Sequence, residues 1–586
     1  MGLLSRMSYR LDRRFGWDRL PRPVGVLALI GIRQRLRERN LYGTGTGLPL
    51  ASDPAGDDDH LTARTLDGSY NDLSDPAMGA TGARFGRNVP LVKTWPEAEP
   101  AILTPSPRVV SRELLTRERF IPATTLNVLA GAWLQFEVHD WFSHGKNEEH
   151  APWEVALEDD DPWSERPMRI PRTRRDPTHA GDDTPPTFVT ADSHWWDGSQ
   201  IYGSERGFAA ALRANEDGKL RLDADGLLPS DLEQHVDLGG VAANFWLGLA
   251  VLHTLFTHEH NAICDRLRAT HPTWSDDRLF DTARLVNAAL MAKIHTVEWT
   301  PGIIAHPTTA WAMRANWWGV LGEGFRRRIG RVGRSDVLSG IPGSPTDHHG
   351  VPYSLTEEFV AVYRMHPLLP DDYVFRSHED DAVLQERTFP EIGVLGTRPR
   401  LDELGMASCL YSFGRAHPGA ITLHNYPRFL QSLERPDGTT IDLAATDVLR
   451  IRERGVPRYN DFRRFFHLRP AASFEELNPK HADELRRVYG DIERLDLMIG
   501  LYSEPLPQGF GFSDTAFRVF VLMASRRIKS DRFLTRDFTS RVYTREGLDW
   551  VNETSMKAVL LRHFPELEPA LRGVTNPFAP WRPVAR

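Results

Sequence analysis

The chain has 586 residues, of which 41% are hydrophobic and 26% charged, a composition typical of globular proteins. Its formal net charge of −8 gives no reason to expect nucleic-acid binding. Cys264 and Cys409 are its only cysteines. We therefore exclude a fold held by disulfides and expect a reducing, cytoplasmic compartment.

The first 92 residues are predicted to form an N-terminal segment distinct from the rest of the chain. Residues 8–40 predict a docked pair of amphipathic helices, and residues 41–92, rich in Gly, Asp, Thr and Pro, predict an irregular arm. The alternative for residues 8–40 is a peripheral membrane contact, with arginines on lipid phosphates. The longest apolar run, residues 24–32, is far shorter than the roughly 18 residues of a spanning helix.

Residues 129–142 form a mostly apolar run without a helix breaker after Gly131, which predicts a buried helix. Gln135 and His139 are four residues apart and would share one face of it. An imidazole and an amide are costly in an apolar helix unless something uses them. Residues 145–187 are polar and predict a solvated loop.

Further helical patterns follow along the chain, whereas alternating strand patterns are scarce and short. The helical patterns cover residues 204–214, 243–270, 275–298, 354–366, 401–413, 481–503 and 514–530. We therefore predict a mainly α-helical fold in one large domain. Tyr363 and His366 are three apart and would share a helical face. Two helices that each offer one imidazole could hold a haem, one His on the iron and the other facing peroxide.

Five motifs resemble the animal-type haem peroxidase and cyclooxygenase superfamily, and within it most the fatty-acid alpha-dioxygenases. They are Gln-x-x-x-His-Asp at 135–140, Trp-Trp-Asp-x-Ser-x-Ile-Tyr-Gly at 195–203, Glu-His-Asn at 259–261, Tyr-Arg-Met-His at 363–366 and Arg-Arg at 526–527. The likeness runs from about residue 20 to about residue 570. It implies that residues 93–586 form one haem-dependent catalytic domain of the peroxidase-cyclooxygenase type.

The resemblance makes His366 the proximal iron ligand and His139 the distal acid–base, with Gln135 orienting a peroxide. His139 would take the first proton of the peroxide and return it to the leaving oxygen. We assign Asn425 as a hydrogen-bond partner of the proximal imidazole. Tyr363, beside the haem, would be oxidised to a radical; otherwise it is a core Tyr with a paired hydroxyl.

This chain departs from mammalian-type peroxidases in the residues that link haem covalently. Val138 stands where those enzymes carry a carboxylate that bonds to the haem, and residues 241–246 read Val-Ala-Ala-Asn-Phe-Trp, without ester, sulfonium or distal Arg groups. We therefore expect non-covalent haem b and no efficient halide oxidation.

His295, Thr300 and Arg527 match the carboxylate site of the alpha-dioxygenases. Together they could fix a fatty-acid carboxylate by charge-assisted hydrogen bonds and place C2 at the tyrosyl oxygen. Arg526 is the alternative to Arg527 in the double Arg. The five-residue spacing of His295 and Thr300 does not by itself place them on one face; we expect Pro301 to end the helix there.

A calcium site is also implied by the resemblance, since hard oxygen ligands alternate in a short loop beside the distal His. The ion would be structural and would hold the distal helix in place. Its expected ligands are Asp140, Ser193, the Trp195 carbonyl, Asp197 and Ser199.

The predicted function is haem-dependent oxygenation of fatty acids at C2. A peroxide activator oxidises the haem, Tyr363 gives up an electron and a proton, and the radical removes hydrogen from C2. O₂ then adds to give a 2-hydroperoxy fatty acid, which can lose CO₂ and leave an aldehyde one carbon shorter. The alternatives are a peroxidase or lipid oxygenase of different regiospecificity, and a non-enzymatic haem- or lipid-binding protein. We expect a monomer without a nucleic-acid partner.

Overall fold

Helices make up most of the regular structure in the computed structural model, which describes residues 3–50, 58–179, 181, 183–231, 236–239, 246–393, 396–435 and 438–584. The prediction of a mainly α-helical fold is confirmed. Strands in these ranges form four two-stranded antiparallel sheets. They pair β1 Glu148–Val155 with β2 Met168–Arg172, β3 Ser230–Asp231 with β4 Val236–Asp237, β5 Asp372–Arg376 with β6 Val383–Thr388, and β7 Leu433–Glu434 with β8 Thr440–Ile441.

The first eight α-helices in the described part of the chain are α1 Leu3–Phe15, α2 Arg22–Arg39, α3 Pro107–Val110, α4 Val128–Val138, α5 Ser199–Tyr202, α6 Arg206–Leu212, α7 Leu247–Thr270 and α8 Asp276–Ile294. Next come α9 Thr300–Ile303, α10 Pro307–Trp318, α11 Glu323–Ile329, α12 Asp336–Ser339, α13 Glu357–Val362, α14 Phe389–Ile392, α15 Thr397–Leu404, α16 Met406–Arg415 and α17 Leu443–Glu453. The last are α18 Tyr459–Phe465, α19 Phe474–Leu477, α20 Ala482–Tyr489, α21 Leu497–Ser503, α22 Asp514–Ser530, α23 Ser540–Glu553, α24 Met556–His563 and α25 Glu568–Leu571.

Caps in the sequence set where the long central helices begin. Ser275 accepts a hydrogen bond from the Arg278 N–H at the start of α8, and Asp276 lies in the first turn, where a negative charge favours the helix dipole. Ser513 caps α22 in the same way through the Ala516 N–H. Helices α4, α7 and α8 pack together with almost wholly buried side chains, and this packing fixes the distal helix α4 in the core.

The N-terminal helices dock as predicted. Helix α2 packs on α10 and α22, with Leu29, Ile32 and Leu36 buried. The Trp17 indole donates to Asp514 Oδ1 over 2.8 Å, which ties the loop between α1 and α2 to α22. Among the described residues, no helix combines the length and the apolar character that crossing a membrane requires.

The helix predicted for residues 354–366 is shorter than expected and ends at Val362. His366 precedes Pro367, and a residue before proline is disfavoured in the helical region. Pro367 also lacks the N–H that would continue the helical bonding to Tyr363. The prediction that Tyr363 and His366 share a helical face is therefore wrong; His366 instead opens a 3₁₀ turn, His366–Leu368.

Glycines divide two other predicted helices. Gly405, with a φ of 72°, separates α15 from α16 within 401–413, and Gly490, with a φ of 71°, ends α20 within 481–503. A positive φ suits glycine and cannot continue a right-handed helix.

The solvated loop predicted for residues 145–187 instead contains the β1–β2 hairpin. Asp161, in its acidic run, is only 6% exposed and pairs with Arg108 at 3.0 Å. The run of charged residues predicts a solvent-exposed loop. It contains no signal that a buried Arg from α3 neutralises the charge of one of these carboxylates.

Candidate active site

His366, the predicted proximal ligand, is held by a buried carboxylate. His366 Nδ1 lies 2.7 Å from Asp447 Oδ2 on α17, and the Tyr426 hydroxyl donates to the same oxygen over 2.9 Å. Arg364 pairs with the other carboxylate oxygen. Burial alone would raise the pKa of Asp447, but His366 and Arg364 outweigh it and hold that pKa at about 2. The ionised carboxylate accepts a hydrogen bond from Nδ1–H of His366. The other ring nitrogen, Nε2, is then available to a metal.

Asn425 does not bind the proximal imidazole, so this prediction is wrong. Its side-chain oxygen Oδ1 accepts hydrogen bonds from Arg117 Nε and from the Ile121 N–H, each at 3.0 Å. Its amide donates to the backbone oxygens of Ile121 at 2.8 Å and Ala420 at 2.7 Å. Asn425 therefore fixes the loop before Tyr426. Asp447, and not Asn425, is the hydrogen-bond partner of the His366 imidazole.

The distal residues Gln135 and His139 lie one turn apart at the end of α4, as predicted, and the His139 N–H bonds to the Gln135 carbonyl oxygen. The Gln135 side-chain oxygen accepts from the Trp246 indole over 2.7 Å. His139 Nδ1 is buried without a partner among the described residues. Burial, aided by His253, lowers the pKa of His139 to about 3. The imidazole is therefore neutral near pH 7, and its pKa lies below the near-neutral value that suits a general base.

Tyr363, His295, Thr300 and Arg527 line one cavity of about 340 Å³. Four further rings line it, namely Trp141, Trp196, Phe359 and Phe520. Residues predicted from three separate parts of the sequence thus meet in one place.

A π-turn explains how His295 and Thr300 reach the same cavity despite their five-residue spacing. The turn covers His295–Trp299, and the Thr300 N–H donates to the His295 carbonyl oxygen. This i to i+5 bonding places residues five apart above one another. The expectation that Pro301 ends the helix is wrong, because Pro301 lies in the first turn of α9, where no N–H is needed.

His295 is held in one tautomer by a neighbouring indole. The Trp133 indole donates to His295 Nδ1 over 3.2 Å, which places the proton of the neutral ring on Nε2. Burial, followed by the nearby positive charge of Arg527, lowers the pKa of His295 well below its usual value. The ring therefore stays neutral and keeps that donor over the physiological pH range.

Arg527 carries a buried positive charge without a salt bridge among the described residues. The residue is 1% exposed, and none of its three guanidinium nitrogens makes a hydrogen bond of normal geometry with a described residue, although the Tyr353 hydroxyl is close enough for Arg527 to lower its pKa. The guanidinium stacks on Trp141 at 3.7 Å and on Trp196 at 4.2 Å. A buried, unpaired cation is costly, so the cavity suits an anionic ligand.

Arg526 points elsewhere. Its guanidinium donates to the backbone oxygens of Val351 at 2.8 Å and Pro352 at 3.0 Å. Of the two arginines, Arg527 is thus the one that lines the cavity.

Tyr363 is 7% exposed and packs against Phe359, with ring centroids 4.6 Å apart, and against Trp141 at 5.9 Å. Burial raises the pKa of its phenol, with Arg527 acting in the opposite direction. The hydroxyl therefore remains protonated at neutral pH.

A cluster of oxygen ligands lies beside the distal helix. Ser193 Oγ donates to Asp197 Oδ2 over 2.6 Å, and Ser199 Oγ donates to Asp140 Oδ1 over 2.9 Å. The Ser199 N–H reaches Asp140 Oδ1 at 2.7 Å and Asp197 Oδ1 at 3.2 Å, so the two carboxylates are close together. Trp195 lies in the same loop, with its N–H bonded to Ser193 Oγ.

The electrostatics of this cluster favour a cation. Burial and the neighbouring Asp197 raise the pKa of Asp140 well above its usual value. The Arg284 guanidinium is 3.7 Å from Asp197 and supplies part of the compensating charge. Carboxylate and hydroxyl oxygens in this number are ligands that Ca²⁺ accepts.

A model of the animal haem peroxidase family matches residues 63–574 of this sequence. The chain belongs to that family. It is 39% identical over 613 residues to alpha-dioxygenase 2 of Arabidopsis thaliana, with 99% of this chain and 94% of the relative covered. It is 38% identical to alpha-dioxygenase PIOX of Oryza sativa subsp. japonica, with 98% and 94% covered. Within the family the chain is an oxidoreductase of the alpha-dioxygenase class.

Solved structures of alpha-dioxygenases share its fold. The crystal structure of Oryza sativa fatty acid alpha-dioxygenase matches with a TM-score of 0.90 at 36% identity, covering 99% of this chain and 97% of that one. A tyrosine-to-phenylalanine variant of the Oryza sativa enzyme, crystallised with palmitic acid, matches with a TM-score of 0.90 at 35% identity, covering 99% and 97%.

The animal haem peroxidase family implies a haem, and the residues of this chain fit that group. An imidazole whose Nδ1 is bound to a buried carboxylate is the usual arrangement of a metal-ligating His, and His366 has it. Val138 offers no carboxylate for an ester. Residues 241–245 lie outside the described residues, so non-covalent attachment of the haem stays a prediction.

Sequence reasoning missed three buried partners of the site. Asp447 lies 81 residues from His366 and belongs to no recognised motif. Trp133 was taken only as part of an apolar helix, yet its indole orients His295. Glu137 is fully buried with both carboxyl oxygens unpartnered among the described residues, and burial, then Asp140, raises its pKa.

Proposed function

We propose that this protein adds O₂ to C2 of fatty acids and forms 2-hydroperoxy fatty acids by means of a radical on Tyr363. The observation that carries the proposal is the unpartnered Arg527 guanidinium in a cavity that also contains Tyr363, His295 and Thr300. The palmitic acid bound to the variant of the Oryza sativa enzyme supports a fatty acid as the ligand.

A fatty-acid carboxylate meets three donors in this cavity. Arg527 supplies charge, His295 supplies Nε2–H, and Thr300 supplies a hydroxyl, so the single polar group of the substrate replaces the missing partners of the guanidinium. C2 is the carbon next to the carboxylate, and Tyr363 lines the same cavity. Fixing the carboxylate therefore selects C2 over the other carbons of the chain.

A second cavity, lined mostly by apolar side chains, would receive the acyl chain. It adjoins the first, because both are lined by Met313, Asn316, Phe520 and Ala524. Its other walls are mostly apolar side chains of α2, α10 and α22, which suit a hydrocarbon tail.

The bound haem supplies an oxidant when it reacts with a peroxide. His139 accepts the peroxide proton as a neutral base, beside Gln135, whose amide the Trp246 indole holds in place. Tyr363 loses its electron together with the phenolic proton, since burial disfavours a free phenolate. The tyrosyl oxygen then takes a hydrogen atom from C2, and O₂ adds to the carbon radical. The resulting peroxyl radical takes a hydrogen atom back from the Tyr363 phenol, which gives the 2-hydroperoxide and restores the tyrosyl radical.

Product analysis tests this proposal. Purified protein incubated with palmitate, a peroxide trace and ¹⁸O₂ is expected to give 2-hydroperoxypalmitate carrying the label, and the aldehyde one carbon shorter. Oxygen on any other carbon would favour a lipid oxygenase of different regiospecificity. Oxidation of a small phenol by peroxide without a fatty-acid product would favour a peroxidase, and a haem inert to peroxide would favour a binding protein.

Replacing Arg527 by Ala is expected to weaken substrate binding. Loss of a charged hydrogen bond costs about 1.5–3 kcal/mol, so KM for palmitate should rise about 10- to 150-fold. The reaction of the haem with peroxide should be unchanged, because His139 and Gln135 are untouched. Steady-state oxygen uptake and stopped-flow spectra measure the two effects.

Arg526→Ala is the matched control for this prediction. Its guanidinium donates to backbone oxygens of Val351 and Pro352, so the variant should lower the melting temperature and change KM less than Arg527→Ala. An equal rise in KM for the two variants would contradict the assignment of Arg527.

We also propose that Asp140, Ser193, Asp197, Ser199 and the Trp195 carbonyl bind one structural Ca²⁺. Removal of calcium with a chelator should lower the melting temperature, and Asp197→Asn should abolish the calcium dependence.

Calcium affinity should also rise with pH. A raised pKa favours the protonated form of Asp140 in the calcium-free protein, and the ion must displace that proton. Calorimetry at about pH 5 and about pH 8 checks the sign; equal affinities, or no bound calcium, would contradict the site.

A further inference from the structure

Three potential metal ligands meet at a place that the proposed function does not use. His424, His481 and Glu484 each direct one ligand atom so that the three atoms lie within 4.8 Å of one another. All three residues are half-buried and therefore reachable from solvent. In the described part of the chain they are the one group of three or more His, Cys, Asp or Glu side chains with this spacing.

Glu484 lies between the two imidazoles. Its Oε2 is 3.0 Å from His424 Nε2, and its Oε1 contacts His481 Nδ1. The ring centroids of His424 and His481 are 5.1 Å apart. Burial alone would raise the pKa of Glu484, but the two imidazoles outweigh it and lower that pKa. The carboxylate is therefore ionised at neutral pH.

Both sides of the cluster are held by backbone structure. His481 immediately precedes α20, and Glu484 is three residues later in its first turn, so the two side chains share one face. On the other side, the His424 N–H donates to the Leu114 carbonyl oxygen over 2.9 Å. The residue after it, Asn425, is fixed by the bonds described above. The ligands are thus placed before any ion arrives.

We propose that His424, His481 and Glu484 bind a Zn²⁺ ion or a similar divalent transition metal. Two imidazole nitrogens and one carboxylate, with water in the remaining position, form a ligand set that suits Zn²⁺, whereas Ca²⁺ and Mg²⁺ prefer oxygen ligands throughout. Tetrahedral ligands about 2.0–2.1 Å from zinc lie roughly 3.3–3.5 Å apart. His424 Nε2 and Glu484 Oε2 are 3.0 Å apart, and no two of the three ligand atoms are more than 4.8 Å apart, so side-chain rotations would admit the ion.

The ion would fasten α20 to the loop that supports the proximal histidine. Tyr426 lies two residues after His424, and its hydroxyl donates to Asp447, the partner of His366. The zinc site would therefore stabilise the structure behind the proximal imidazole. It does not depend on the proposed function, and zinc binding can be measured without any turnover.

Calorimetric titration of the full-length haem protein with ZnCl₂, in a buffer that keeps the oxygen-ligand site saturated with Ca²⁺, tests the inference. We expect one Zn²⁺ per chain and a higher melting temperature with Zn²⁺ but not with Mg²⁺. Glu484→Gln and, separately, His481→Ala should each weaken zinc binding by at least about 10–100-fold, the loss typical even of an outer-shell partner.

His150→Ala is the control, because His150 is an exposed histidine on β1 outside the cluster. It should bind zinc like the wild type. If Glu484→Gln and His481→Ala bind zinc with wild-type affinity, or if the wild type shows no one-to-one site, the inference is wrong, whether or not the protein oxygenates fatty acids.

Discussion

Tyr363→Phe is expected to abolish fatty-acid oxygenation while the haem stays bound. The variant lacks only a hydroxyl, and a Phe ring keeps the packing against Phe359 and Trp141. Nothing else that lines the cavity can form an oxygen radical able to take hydrogen from C2. Oxygen uptake with palmitate should fall to the uncatalysed level. The absorption spectrum of the haem and its reaction with peroxide should persist, because His366, His139 and Gln135 are unchanged.

Tyr543→Phe is the matched control for this experiment. Tyr543 is fully buried outside the cavity, and its hydroxyl has no partner among the described residues, so removal of the hydroxyl leaves no other group unpaired. Its replacement by Phe should leave oxygenation intact. Electron paramagnetic resonance after peroxide addition should detect a tyrosyl signal in the wild type and in this control, and lose it in Tyr363→Phe. Wild-type oxygenation by Tyr363→Phe would refute the radical mechanism and favour the peroxidase.

The helical fold could be predicted because apolar periodicity is a local signal. Helix α22 matches its predicted range of 514–530, and α8 begins within one residue of the predicted start at Ser275. The errors occur where one residue overrides the periodicity. Pro367 ends α13 early, and Gly405 divides a predicted helix in two. Both residues are visible in the sequence, and the apolar pattern was given too much weight beside them.

The cavity residues could be named from motifs, but their geometry could not be derived. A five-residue spacing places His295 and Thr300 on different faces of an ordinary helix, and only the π-turn brings them together. Likewise, the choice between Arg526 and Arg527 depends on which guanidinium finds backbone carbonyls. The sequence contains no local signal for either feature, since both arise from packing between distant segments.

The partner of the proximal histidine shows the limit of motif reasoning most clearly. Asn425 was predicted to bond to the proximal imidazole, whereas the hydrogen bonds of its side chain all go to a loop. Asp447 lies on α17 and is identifiable only when α17 packs behind the His366 turn. Long-range pairing of a buried carboxylate with a histidine leaves no trace in residue spacing.

His366→Ala is expected to abolish haem retention. Iron would lose its proposed protein ligand. Haem affinity should therefore fall by more than the about 10- to 100-fold that removal of an outer-shell partner costs. The haem-to-protein ratio after gel filtration and the Soret absorbance measure it. His378→Ala is the control, because His378 is a half-buried histidine bonded to Ser408 and outside the site. It should retain haem like the wild type.

Asp447→Asn separates ligation from orientation at the same site. Asn can still meet His366 Nδ1 but carries no charge, so the imidazole becomes a weaker donor and Arg364 loses its ionic partner. This variant should bind haem with affinity lowered about 10–100-fold. Its reduction potential should be higher, because the less electron-rich imidazole of the variant stabilises the oxidised iron less. Addition of imidazole should restore haem binding to His366→Ala, which has lost the ligand, and should change Asp447→Asn much less. Normal haem stoichiometry with an unaltered Soret band in His366→Ala would show that iron is held by another residue, and the support that Asp447 gives to His366 would then need a different explanation.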